Sequence, residues 1–288
     1  MHKQHPVLWL SISPSLKCFD QRLLSQLIRG RTVRRWQYCQ TVDEPCSVEG
    51  VVASLHNYFS SQSELSKSEP FQSDSSQSEP SKLSKLQSSK VHLIGHGVSG
   101  VIGLLYARQY PQHVASLTLL SVGSLPAVNW QAHYYALRKL LPCSREVLLG
   151  QMTRLLFGEQ PARIVPALVQ LLARDLDSSL TLHSLAHSSH IPAGGVEVPL
   201  LVCNGDRDNI ITAQQNAAWK RWLKPEDRLW HCPNGSHFFH FHQHKAVARA
   251  ITTYWADLSP SPKRSIPTTE TSIATRNFAS NLSSYINQ

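Results

Sequence analysis

Near-continuous apolar runs alternate with stretches of helical period along most of the chain. Pro6-Val7-Leu8-Trp9-Leu10-Ser11-Ile12, Val91-His92-Leu93-Ile94-Gly95, Ala115-Ser116-Leu117-Thr118-Leu119-Leu120-Ser121 and Val198-Pro199-Leu200-Leu201-Val202-Cys203-Asn204 have the pattern of strands buried on both faces. A strand open to water on one side would alternate polar with apolar residues. Thr32 to Gln40 is more polar and predicts a strand near an edge; Asp227 to Cys232 predicts a sixth. Helices are predicted at Phe19–Ile28, with Asp20 near its start and Gly30 as a stop, and at Ser47–Leu55 with Ser47 as N-cap. Others are predicted at Val101–Gln109, Thr212–Leu223 and Gln243–Leu258. Strand, helix and strand between Val91 and Ser121 make a βαβ crossover, which demands parallel pairing and a right-handed connection.

Three segments break the alternation. From Ser60 to Lys90, thirteen of 31 residues are serine, and Ser66-Lys67-Ser68-Glu69-Pro70 returns as Ser76-Gln77-Ser78-Glu79-Pro80. So little apolar surface cannot offset the entropy of ordering, so a disordered surface insertion is predicted over 60–90. From 125 to 190 there is no convincing strand, only helical stretches at Trp130–Leu141, Arg145–Phe157 and Pro161–Ala173. Beyond Ser259 the Ser, Thr, Pro and Asn content predicts a flexible tail over 259–288. The core then comprises 6–124 and 191–258.

Composition narrows the class. With 288 residues, 41% of them apolar, the chain can bury one sizeable core. No run reaches the roughly 18 apolar residues of a membrane span, and Val7–Ile12 is too short for a signal-peptide core. A cytoplasmic protein without a membrane span is the expectation. Cys18, Cys39, Cys46, Cys143, Cys203 and Cys232 form no C-x-x-C pair and read as reduced thiols. The formal charge of +9 invites a nucleic-acid partner, but no basic run is interleaved with aromatics, so none is assigned. Weak attraction to anionic surfaces or ligands is compatible with that charge. Among His231, His237, His240, His242 and His244, no carboxylate or cysteine is spaced to complete a metal site. Neither metal nor cofactor is called for.

The chemistry centres on Gly95-His96-Gly97-Val98-Ser99-Gly100, where an apolar strand turns through small residues into an apolar helix. This resembles the nucleophile elbow of the α/β-hydrolase superfamily, whose members often carry Gly-His-Ser-x-Gly-Gly here. Gly95, His96 and Gly100 match; Gly97 stands in the nucleophile slot and Ser99 replaces a glycine. The resemblance implies an α/β-hydrolase fold: a mostly parallel, doubly wound sheet lacking the usual N-terminal hairpin, with 125–190 as a helical lid. It also places the acid at Asp208, in preference to Asp206, and the base at His237. Carboxylate behind imidazole fixes the tautomer and stabilises the protonated ring.

The same comparison exposes losses. A glycine has no side chain to attack a carbonyl, and losing the nucleophile costs a serine protease about six orders of magnitude in turnover. Where the family often has His-Gly for its oxyanion loop, this chain has Ser11-Ile12, and a β-branched residue suits that bend poorly. The N–H of Val98 remains as a natural oxyanion donor. Ser99 is the only nearby hydroxyl in the elbow, but its place in the helix's first turn aims it elsewhere. Ser11, Ile12, Trp130 and Tyr134, with Tyr135 and Phe157, are candidates to line an apolar pocket; helix packing accounts for the aromatic ones equally well. Two readings follow: a hydrolase-like protein with a degenerate site, binding a small apolar molecule or a protein partner, or a hydrolase or lyase using His237 and Asp208 on a small ester-like or carbonyl substrate. Whether those side chains meet over an open pocket at Gly97 separates them.

Overall fold

In the computed structural model, which describes residues 5–38, 47–65, 90–178 and 190–258, six strands form one sheet. They are β1 (Val7–Ser11), β2 (Val33–Gln37), β3 (Val91–His96), β4 (Val114–Leu120), β5 (Leu200–Gly205) and β6 (Arg228–Cys232). Their order is β2-β1-β3-β4-β5-β6, and every pairing is parallel. This is the parallel sheet, covered by helices on both faces, that the elbow resemblance implies. Residues 66–89, 179–189 and 259–288 fall outside the described set, and with them most of the serine-rich insertion and the whole tail.

The apolar runs are explained by which face each side chain meets. On β1, Leu8 and Leu10 join one core cluster and Val7 and Trp9 the other. On β5, Leu200 and Val202 face the first cluster while Leu201 and Cys203 face the second. Successive strand residues point to opposite faces, so a sheet covered twice needs apolar residues at every position. One face is covered by α2 (Val48–Leu65) and α3 (Val98–Gln109), the other by α1 (Gln21–Leu27) and the C-terminal helix His244–Leu258. β2 and β6, the two edge strands, are the more polar ones.

The segment after β4 supplies α4 (Trp130–Leu140), α5 (Arg145–Phe157) and α6 (Val165–Ser178). Asn129 Oδ1 accepts from Ala132 N at 2.8 Å and Ser144 Oγ from Val147 N at 3.3 Å, so each of the first two helices has a side-chain cap. α6 begins later than the expected Pro161, because 161–164 form a turn closed by Ile164 N to Pro161 O. Pro166 then occupies the first helical turn, where a missing N–H costs nothing. α2 runs ten residues past the expected end at Leu55, since extending a helix already anchored avoids a new nucleation cost. These helices form a third cluster built on Trp130, Tyr134, Leu148, Met152, Leu156, Phe157 and Leu172.

Candidate functional site

The chain order reverses between β1 and β3, and open α/β sheets place their ligands outside the strands' carboxyl ends at such a switch point. The elbow sits there, between β3 and α3. Gly97 has φ 51° and ψ −125°, a conformation that strains any residue with a Cβ. The turn is tight because chain meets chain: a Cβ on Gly95 would lie 2.6 Å from Gly100 N, and one on Gly100 2.8 Å from Gly95 O. A Cβ on Gly97 would meet nothing within 4 Å. The elbow therefore keeps its backbone and leaves space where a side chain would stand.

Residue 99 has a different task from the glycine it replaces. Ser99 is buried, and its Oγ accepts a hydrogen bond at 3.1 Å from the N–H of Ile12, just beyond β1. That bond ties the end of β1 to the elbow and occupies the Ile12 N–H. Val98 stands at the start of α3, where a helix offers N–H groups with no intrahelical acceptor.

The two residues that the sequence resemblance marks as acid and base come from loops after β5 and β6. His237 Nδ1 donates to Asp208 Oδ2 at 2.9 Å, and both side chains are buried. Asp208 Oδ1 accepts from the N–H groups of Ile210 at 2.8 Å and Ile211 at 3.0 Å. Burial alone would raise the Asp208 pKa; His237 and the two N–H donors outweigh it and hold the carboxyl below its ordinary range. Asp206, two residues earlier, is exposed. The His237 carbonyl accepts from Ser121 Oγ at 2.6 Å and from His96 Nε2 at 3.1 Å. Ser121 has φ 51°, so a strained residue at the end of β4 helps fix the histidine's backbone. His237 Nε2 is buried with no hydrogen-bond partner among the described residues.

Over Gly97 lies a cavity of about 30 Å³, lined by Ser11, Ser13, Asp20, Gly97, Trp130 and Phe238 among others. One water needs about 10–15 Å³ by this measure, so about two fit. Of the sequence-derived lining residues, Ser11 and Trp130 face this space, whereas Ile12 packs in the sheet core and Tyr134 in the third cluster. Phe157 is likewise in the third cluster, and Tyr135 is exposed. Phe238, rather than His237, contributes to the lining.

Two carboxylates went unassigned in the sequence. Asp20 accepts from Trp9 Nε1 at 3.0 Å and faces His240 Nε2 at 3.4 Å. Asp175 of α6 is fully buried and accepts from Gln131 Nε2 of α4 at 3.3 Å. Burial lifts its pKa to about 6, against smaller opposing effects of Gln131 and Ser13. No spacing could have signalled Asp20–His240, whose partners lie 220 residues apart. His96 is held well below its usual range by burial first, then by His240 and His237, and is neutral. Among the described residues no group of His, Cys, Asp and Glu is arranged to hold a metal ion, and no helix is long and apolar enough to cross a membrane.

Residues 67–250 match the model of the alpha/beta hydrolase family. The chain is 39% identical over 249 residues to an uncharacterized protein of Nostoc sp., covering 86% of this chain and 90% of that one. It is 39% identical over 258 residues to an uncharacterized protein of Synechocystis sp., covering 90% and 93%. Among solved structures, a thermophilic esterase from Thermogutta terrifontis superposes with a TM-score of 0.61 at 17% identity, over 90% of this chain and 92% of that one. A serine hydrolase from Cycloclasticus zankles gives 0.59 at 13% identity, over 90% and 92%. At such identities the likeness is one of fold.

Proposed function

The chain belongs to the α/β-hydrolase family, and from that premise we propose that it has left acyl-enzyme hydrolysis and acts as a non-catalytic member through its surface. The observation that carries this reading is Gly97: the elbow's backbone is retained around a residue with nothing to attack a carbonyl. Two further features support it. The cavity of about 30 Å³ is an order of magnitude below the roughly 300–1,000 Å³ of small-molecule sites, so the space over Gly97 does not suit a small apolar ligand. The Ile12 N–H, at the end of the oxyanion strand, is spent on Ser99.

A second reading rests on the retained pair. His237 and Asp208 meet at 2.9 Å, and Nε2 of the imidazole is left without a protein partner. That is the arrangement of a general base; since His237 does not line the space over Gly97, it would act on a water there only after a side-chain movement uncovers Nε2. The protein would then be a hydrolase or lyase on a small ester-like or carbonyl compound. Turnover of short-chain and medium-chain p-nitrophenyl esters by wild type and His237→Ala separates the two. Equal, background rates are expected; wild-type turnover that His237→Ala abolishes overturns the non-catalytic reading.

A further inference from the structure

Apolar side chains are exposed unevenly over this molecule. Of eight large exposed hydrophobic residues among those described, four fall between 135 and 147: Tyr135 at 37% exposure, Leu140 at 75%, Leu141 at 43% and Val147 at 57%. They lie at the corner where α4 ends and α5 begins. Leu141 caps α4 through its N–H to the Leu137 carbonyl, and Pro142 prevents the helix from continuing. The corner is held in shape by Arg138, whose Nη1 donates to the Cys143 carbonyl at 2.8 Å. Nothing in the lid's own packing calls for leucines here; its core faces the other way, through Tyr134, Leu148 and Leu149.

Charge at the corner is net positive, Arg138 and Lys139 standing against the exposed, ionised Glu146. Arg138 and Lys139 immediately precede the leucines and are exposed. Of the neighbouring carboxylates, Asp177 is taken up by Arg145 at 2.7 Å. Glu146 is engaged at the start of its own helix by a backbone N–H and the Ser144 hydroxyl. Beyond the corner the whole chain carries +9. Leucines at a tip, a tyrosine behind them and cations on long apolar stems form the pattern of a surface that dips into a bilayer interface while its charges stay with the headgroups. Protein interfaces are enriched in aromatic residues and depleted in lysine, whereas this tip carries leucines beside Lys139.

We propose that the α4–α5 corner, through Leu140, Leu141 and Val147 with Arg138 and Lys139, docks the protein on anionic membrane surfaces. An apolar tip of this size gives marginal, reversible attachment by itself, and the positive charge supplies the needed second attraction. The docking is independent of whether the Gly97 site turns anything over.

Flotation of the purified full-length chain with vesicles tests this, comparing phosphatidylcholine alone with phosphatidylcholine containing one-third phosphatidylglycerol. Partition is expected on the anionic vesicles, weakening as salt rises. Arg138→Ser and Lys139→Ser should each reduce it about fivefold, and Leu140→Ser/Leu141→Ser roughly tenfold or more. Lys139→Ser and the leucine pair variant change only exposed side chains and should unfold thermally as wild type does; Arg138→Ser also removes the bond to the Cys143 carbonyl, so Lys139→Ser carries the charge test. No partition on anionic vesicles, equal partition on neutral ones, or full binding by the leucine pair variant overturns the proposal. So does self-association that the leucine pair variant abolishes in the absence of vesicle binding, which would give the corner to a second copy.

Discussion

Restoring a side chain at residue 97 separates the elbow's geometry from its chemistry. Gly97→Ser has room, since a Cβ there meets nothing within 4 Å, but it must hold φ 51° and ψ −125°. A residue with a Cβ in so sparsely populated a region costs about 1–3 kcal/mol. For a domain of this size each kcal/mol moves the melting temperature by about 2–4 °C, so the variant should melt about 2–12 °C below wild type. Gly97→Ala imposes the same strain without a hydroxyl and should melt alongside it. On the chemical side, His237 and Asp208 are already paired at 2.9 Å, so a serine hydroxyl brought beside Nε2 gains a base. Slow p-nitrophenyl acetate turnover is expected, absent from Gly97→Ala and from Gly97→Ser/His237→Ala. It should stay low, because a missing oxyanion donor costs about 10²–10³ in rate and Ser99 holds the Ile12 N–H. Adding Ser99→Gly should raise it. Calorimetry with a stopped ester assay on the same preparations is enough. A Gly97→Ser protein as stable as wild type would refute the strain argument. Folded Gly97→Ser and Gly97→Ser/Ser99→Gly proteins that are both inert would refute the claim that the base pair is intact.

Other substitutions probe what holds the site. Ser99→Ala leaves the buried Ile12 N–H without its acceptor and should cost about 1–3 kcal/mol in urea unfolding; no loss would mean the tie between β1 and the elbow is not structural. Burial lifts the Asp175 pKa to about 6, above the ordinary carboxylate range, so folding favours its protonated form. Its ionisation removes stability as pH rises from about 4 to about 6, a total of about 3 kcal/mol. Asp175→Asn should therefore be the more stable protein at pH 7.5, by an amount that shrinks towards pH 4; a difference that does not change with pH would contradict this. Asp208 has the opposite sign: its folded pKa is depressed, so its contribution is present at neutral pH and lost as acid takes the solution through that folded value. Asp208→Ala strands the His237 Nδ1–H and the Ile210 and Ile211 N–H groups and should cost about 3–5 kcal/mol at pH 7. Wild-type stability at that pH would place the support of His237 elsewhere.

Much of the architecture was legible from local pattern. The strands were readable because a sheet covered on both faces demands apolar residues at every position, as Leu8 and Trp9 show by entering different cores. Boundaries were less so. The helix expected from Thr212 to Leu223 ends as Ala213–Ala218 followed by a 3-10 turn at Trp219–Arg221, because the buried Trp219 donates its ring N–H to the Val122 carbonyl at 2.9 Å. Such a bond across 97 residues has no trace in local periodicity.

By itself, the sequence determined the sheet, the elbow and the glycine at residue 97. Those are statements about residue identity and about backbone geometry spanning a few positions, where chain period and the room for a Cβ decide the outcome. Tertiary structure decided the rest: Asp208 is buried against His237 while Asp206 is left in water, and Ser99 serves as an acceptor for a group 87 residues away. It also closed the space over Gly97 to about 30 Å³ and brought Asp20 to His240. Side chains far apart in the chain meet only where strand register and loop path bring them, and whether a pocket is open depends on the volume of every residue that reaches it.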